Sequence, residues 1–304
     1  MINSLLEQWE LGRRMRSLRK NAKLSQSAAA KAIDVSPQTI GRLEDGQATR
    51  ISKVLLSELC NFYQAEEHER TVVLKLAQDL RAAQQKGGST RSGGVSVAMA
   101  GLVDRVELEQ AASAVTIFAN TVVPGLLRTP EYHQINRPAR HPHDSAADLE
   151  CWQQLNEQRR VRLHNNNFDV EVYLLRSVLH HVVGGPALMA QQLAHLEQVS
   201  QLPNVTLRVI PSDAGSHIGL HGGGFTLMEF GDLPGIGAVG APVVYAKGFT
   251  EELCIRDHGD INRYRAAVAQ LDRVAMSPDE SRMLMATIEQ KYSTRTTLVL
   301  QESR

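Results

Sequence analysis

The chain is short of cysteine, of long apolar runs, of net charge and of enzyme signatures, and each shortage narrows what it does. Its 304 residues hold three cysteines, Cys60, Cys151 and Cys254, far apart and without a CxxC pair. That spacing argues for reduced thiols, against a disulfide framework and against a zinc finger. No apolar stretch approaches the ~20 residues of a membrane span. The opening MINSLLEQWE lacks the basic-then-apolar order of a secretory signal. The expectation is a cytoplasmic protein without a membrane partner. No GxSxG elbow or HExxH helix is present, and Gly222–Gly224 is not followed by the Lys-Ser or Lys-Thr of a phosphate loop. No catalytic residue, cofactor or metal is expected on these grounds.

The missing net charge hides an asymmetry. The chain has 33 Lys and Arg against 33 Asp and Glu. Up to Lys53, however, ten basic residues face five acidic ones, a net of +5, so the remainder carries −5. Positive charge is therefore concentrated where a nucleic-acid surface would need it.

That basic segment contains Leu24 to Gly46, LSQSAAAKAIDVSPQTIGRLEDG. Ser25 is a suitable N-cap, and Ala28, Ala29, Ala32 and Ile33 recur at helical spacing behind it. Asp34 and Val35 form a tight turn. Ser36-Pro37 opens a second helix, a capping hydroxyl followed by a proline where its missing N–H is not needed. Ile40 and Leu43 form the inward face, and Gly46 is the stop. The outward positions, Gln38, Thr39 and Arg42, carry groups able to read base edges or grip phosphates. Before it, Glu10–Asn21 reads as a helix with Leu11, Met15 and Leu18 on one face and arginines on the others. After it, Val54–Phe62 and Glu66–Ala83 add two amphipathic helices, so five helices share a small core.

LRKNAKLSQ followed by VSPQTIGRLEDG resembles the helix-turn-helix of the XRE (phage-repressor-like) regulators over Leu11–Tyr63. The resemblance implies that Gln26 grips a phosphate, that Ser36, Gln38 and Thr39 face the major groove, and that Arg42 and Arg50 lie at phosphates or base edges. Arg16 and Arg19 are expected to position the domain on the backbone of double-stranded DNA.

KGGSTRSGG at 86–94 cannot build a core and reads as a flexible linker. It divides a DNA-binding domain at 1–85 from a second domain at 95–304. There, helices are expected at Ala98–Ala112, from Pro130, and at Leu149–His164, Pro186–Gln201, Asp260–Val274 and Ser277–Tyr292. Strands are expected at Ala114–Asn120, around Val170–Leu174, and at Val205–Ile210, Phe225–Phe230 and Val243–Ala246. Interleaved helices and strands indicate a mixed α/β domain beside the all-α bundle. PGLLRTPEY, VLHHVVGGP and NVTLRVIPSDAGSHIGLHGGGFTL resemble the carboxyl-terminal region of actinobacterial antitoxin-like XRE regulators, whose function is undefined and which are often encoded beside a small partner protein.

Histidines supply the raw material for any chemistry here. His217 and His221 are four apart, but His221 runs into three glycines that disfavour helix, and no third ligand is fixed by spacing. Three classes therefore stay open at this stage. The first is a homodimeric transcriptional regulator with a sensing domain for a small-molecule effector. The second is an antitoxin-like autorepressor holding a small protein. The third is a DNA-tethered enzyme.

Overall fold

The computed structural model describes residues 4–47, 51–87, 97–138, 141–232, 240–248 and 252–302. Two compact units divide the chain, Met1–Ala111 with Gly231–Ala241, and Ala112–Phe230 with Pro242–Arg304.

The first unit is a helical bundle. It comprises α1 (Ser4–Asn21), α2 (Gln26–Ala32), α3 (Pro37–Glu44), α4 (Lys53–Phe62), α5 (Glu67–Gly87) and α6 (Val97–Ala111). Helix α1 begins before Glu10, because Leu6 continues the buried stripe of Leu11 and Met15. Around them Ala29, Ala30, Ile33, Ile40, Leu43, Leu59, Val73 and Leu76 form one core. Small side chains are essential to its centre. A Cβ on Gly12 of α1 would stand 2.5 Å from the Leu43 carbonyl oxygen, 2.7 Å from the Gly46 nitrogen and 2.9 Å from the Glu44 carbonyl oxygen. Two backbones meet there, and only glycine permits it.

Four helix ends in this unit close the same way. After α1, α2, α3 and α4 the chain turns through a left-handed residue, namely Lys23 (φ +56°), Asp34 (φ +52°), Gly46 (φ +63°) and Gln64 (φ +54°). The following amide then reaches back to a carbonyl one turn inside the helix, as in Leu24 N to Arg19 O at 3.1 Å and Gln47 N to Arg42 O at 2.8 Å. Only one of the four positions uses the glycine that costs least there.

The second unit is built on a six-stranded sheet in the order β3-β2-β1-β4-β5-β6. Strands β1 (Ala114–Ala119), β2 (Asp169–Leu175) and β3 (Val205–Ile210) are parallel, whereas β4 (Phe225–Glu229), β5 (Val243–Lys247) and β6 (Glu252–Ile255) form an antiparallel run beside β1. The parallel half needs crossovers. Helices α7 (Pro130–Asn136) and α8 (Ala146–Leu163) occupy the first, and α9 (Pro186–Val199) occupies the second. Helices α10 (His258–Val274) and α11 (Pro278–Glu302) follow the sheet. Phe118 faces Tyr173 on one neighbour and Phe225 on the other. With Leu227, Val244, Ile261 and Leu271 they form a core shared between the sheet and α10. The opposite face carries Val115, Ile117, Val172, Leu174, Leu207 and Val209, all buried.

Two devices finish the sheet. The outer edge of β3 is covered, since the Val209 amide donates to the buried Ser281 hydroxyl at 2.9 Å and the Met276 amide donates to the Val209 carbonyl. The segment after β1, which forms a 3₁₀ turn at Gly125–Leu127, has no strand to pair with among the described residues. Buried Gln192 of α9 replaces one: its Nε2 donates to the Leu127 carbonyl at 2.8 Å and its Oε1 accepts from the Thr129 amide at 2.9 Å. The expected Ser277 capping box is present, with Ser277 N donating to Glu280 Oε2 and Glu280 N to Ser277 Oγ.

The fold is thus an all-α bundle followed by a mixed α/β unit. Strand β6 was not anticipated, because its four residues show no buried alternation. The stretch 88–96, which contains most of the expected linker, lies outside the described residues, and Lys86 and Gly87 end α5.

Candidate nucleic-acid interface

Helices α2 and α3 are positioned by local chemistry. The Ser25 hydroxyl accepts from the Ala28 amide at 3.0 Å, and the Ser36 hydroxyl accepts from the Thr39 amide at 3.1 Å, with Pro37 next to it in the first turn. The Thr39 hydroxyl lies 2.9 Å from that of Ser36, so both belong to the cap. Ile40 and Leu43 are buried, which orients α3 and leaves Ser36, Gln38 and Arg42 exposed with Thr39 half-buried beside them. Arg50 lies outside the described residues.

The other three residues expected at DNA come together on a group that sequence reasoning missed. Glu44, the last residue of α3, has a fully buried side chain. Arg19 meets its carboxylate with two donors, Nε to Oε1 at 2.5 Å and Nη2 to Oε2 at 2.8 Å. Its third donor, Nη1, reaches the Leu24 carbonyl at 2.7 Å. Gln26 Nε2 donates to Glu44 Oε2 at 3.0 Å. Arg16 lies at the border, with Nε 3.6 Å from the same carboxylate and Nη2 paired with Asp45. Burial pushes the Glu44 carboxyl upward, but the hydrogen bonds from Arg19 and Gln26 and the charges of Arg19 and Arg16 outweigh it, so its pKa lies below the ordinary carboxylate range. Arg19 and Gln26 therefore tie the end of α1 and the start of α2 to the end of α3. Only one sequence signal pointed here: Glu44 follows Ile40 by four positions, on the inward face.

A second polar network ties α1 to α5. Buried Glu10 accepts from Arg14 Nε at 2.7 Å, and Arg14 Nη1 reaches Glu69 at 2.8 Å. Nearby, buried Glu7 is held near neutral: burial first, and the charge of Asp79 second, raise its pKa to about 7.

In the second unit the histidines do not assemble. His217 is buried with Nδ1 unpartnered among the described residues, and residues 218–220 form a 3₁₀ turn rather than an α-helix. His221 and His258 are exposed, and His258 Nδ1 contacts Asn262. Among the described residues no group of three His, Cys, Asp or Glu side chains is placed to hold a metal ion. Among them, too, no helix is long and apolar enough to cross a membrane.

Comparison with known proteins finds two family matches along the chain. Residues 10–73 match a family described as Helix-turn-helix domain. No curated protein matches the chain. Among solved structures, the clp gene regulator ClgR from Corynebacterium glutamicum is similar at 27% identity over 27% of this chain and 86% of that chain. Its TM-score is 0.21, so the likeness carries no structural argument. Residues 102–287, more than half of the chain, match the family described as Domain of unknown function (DUF5753), and the chain belongs to that family.

Proposed function

We propose that this protein is a sequence-specific transcriptional regulator that binds double-stranded DNA through α3 as a homodimer. The observation that carries the reading is the two-sidedness of α3. Its inner side is buried and clamped at Glu44, while Ser36, Gln38 and Arg42, spread from its N-cap to its last turn, remain exposed. Gln38 pairs with adenine and Arg42 with guanine or a phosphate. Thr39 and Ser36 border the same groove, and Arg16 and Arg50 contact the backbone. Arg19 and Gln26 act through Glu44, fixing the angle at which α3 is presented. Two copies place their recognition helices about one DNA turn apart, roughly 34–36 Å, and read an inverted repeat. The carboxyl-terminal unit is assigned a sensing role and no catalytic step.

The test is promoter binding by the purified full chain, read by footprinting across a range of salt. Gln38→Ala is expected to relax preference at one base pair, by about 1–3 kcal/mol. Arg16→Ala is expected to weaken binding to every sequence and to lower the salt slope. Equal affinity for natural promoters and scrambled duplex at low ionic strength would overturn the reading.

A further inference from the structure

The second unit holds a cavity of about 680 Å³ between the Gly125–Leu127 turn, α7 and α8. That is the size of a small-molecule site. Its wall combines apolar surface from Leu126, Leu149 and Trp152 with four arginines against two carboxylates, Asp144 and Glu157. Arg137 dominates this wall. It is only 7% exposed, its guanidinium lies over the Trp152 ring at 4.7 Å, and it pairs with Asp144. Even so, its Nε has no hydrogen-bond partner among the described residues. A buried charged donor left open in this way is costly and calls for an acceptor. Arg159 is also buried, and its Nη1 lies 3.0 Å from where a Cβ on Gly125 would stand, so the guanidinium presses against bare backbone at the cavity wall.

The histidine between them senses the same field. His133 Nε2 is 2.9 Å from the Gly125 carbonyl, and its ring meets Trp152 edge-on. Burial, then the charges of Arg128 and Arg159, lower its pKa to about 3, so it adds no further positive charge and acts as a neutral support for the turn.

We propose that this cavity binds a small organic anion, an apolar body bearing a carboxylate or phosphate, with Arg137 as its anchoring donor. The site deepens the sensing role assigned above by naming the chemistry of the effector. Oxyanions suit it because guanidinium groups donate to them in paired fashion, and Leu126 and Leu149 beside Trp152 give the body apolar surface.

Binding is measured without DNA, so its failure and a failure of DNA recognition are separable. The full chain carrying Trp9→Phe retains Trp152 as its one tryptophan, inside the cavity. Benzoate, phenyl phosphate and neutral benzamide are titrated against its fluorescence and thermal unfolding. Either anion is expected to saturate below about 10 mM, with benzamide at least about tenfold weaker. The arm that binds more tightly tells carboxylate from phosphate. Arg137→Gln is expected to weaken the preferred anion about tenfold or more. Because that variant disturbs a buried pair, Glu157→Gln serves as a second probe. Its side chain is 59% exposed, and removing its charge is expected to tighten anion binding about twofold to threefold. Benzamide binding as well as benzoate, an absence of binding by both anions, or identical affinity in the variants would overturn the proposal.

Discussion

Arg19 in one unit and Arg137 in the other are both largely enclosed, but to opposite ends. In the helical unit Arg19 and Arg14 are closed off by carboxylates, and three donors of Arg19 are used internally. In the α/β unit Arg137 pairs with Asp144, has an Nε without a partner among the described residues and borders a cavity. A positive charge matched by a buried carboxylate fixes geometry, whereas the donor left over on Arg137 is the one the proposed anion would meet. The comparison also identifies arginines whose work is to hold other residues in place. A count of arginines near the amino end treats Arg19 and Arg42 alike, and only the position of Glu44 distinguishes them.

The sharpest way to break this contrast is to remove the matched carboxylate. Glu44→Ala leaves Arg19 without its partner and is expected to destabilise the helical unit by about 3–5 kcal/mol, read by urea unfolding. A cost below about 1 kcal/mol would mean that the cluster fixes nothing.

Next comes one substitution made in two places. Gly12→Ala drives a Cβ into three backbone atoms and is expected to cost about 3 kcal/mol in the helical unit. Gly125→Ala meets the end of the flexible Arg159 side chain, and a cost under about 1 kcal/mol is expected. Each unit has its own tryptophan, Trp9 or Trp152, so fluorescence of single-tryptophan chains follows the two separately.

Acidity should drive the units apart. Glu7 has a folded pKa of about 7, raised above the ordinary 4.5, so the folded unit binds the extra proton. Its stability is fully present below about pH 4.5 and falls as pH rises toward 7, by on the order of 1–2 kcal/mol. Glu7→Gln is expected to flatten that slope. His133, lowered from 6.5 to about 3, acts in reverse: its contribution is present above pH 6.5 and is lost as pH falls toward 3. Parallel pH profiles for the two tryptophan signals would contradict both assignments.

The smallest effect tests the helix ends. Gln64→Gly relieves a left-handed non-glycine residue and is expected to stabilise the helical unit by about 0.5 kcal/mol. Gly46 already has the residue its position needs.

What was legible in the sequence was local. Ser25, Ser36 and Ser277 act on amides a few residues away, Pro37 and Gly46 act through their own backbone angles, and each appears where its motif placed it. The parallel order of β1, β2 and β3 follows from the helices between them. The long-range partners were hidden. Arg19 and Glu44 are 25 positions apart, and Gln192 is 63 from Thr129. The insertion of β4 between β1 and β5 depends on which sheet edge was open, which no repeat in the chain records. Lys23 and Gln64 stop helices without the glycine that marks a stop. The cavity draws on Gly125, Arg137 and Arg159, each unremarkable in its own window.

Gln192 gives the cavity a mechanical link to the rest of its unit. Its amide joins the turn that walls the cavity to α9, and α9 packs along α11. If a ligand displaces that turn, either two buried amide bonds rupture, at about 1–3 kcal/mol for each group left unsatisfied, or the helix travels with it. If the helix travels, both bonds survive, and occupancy of the pocket would register as a shift in α11, the longest helix among the described residues.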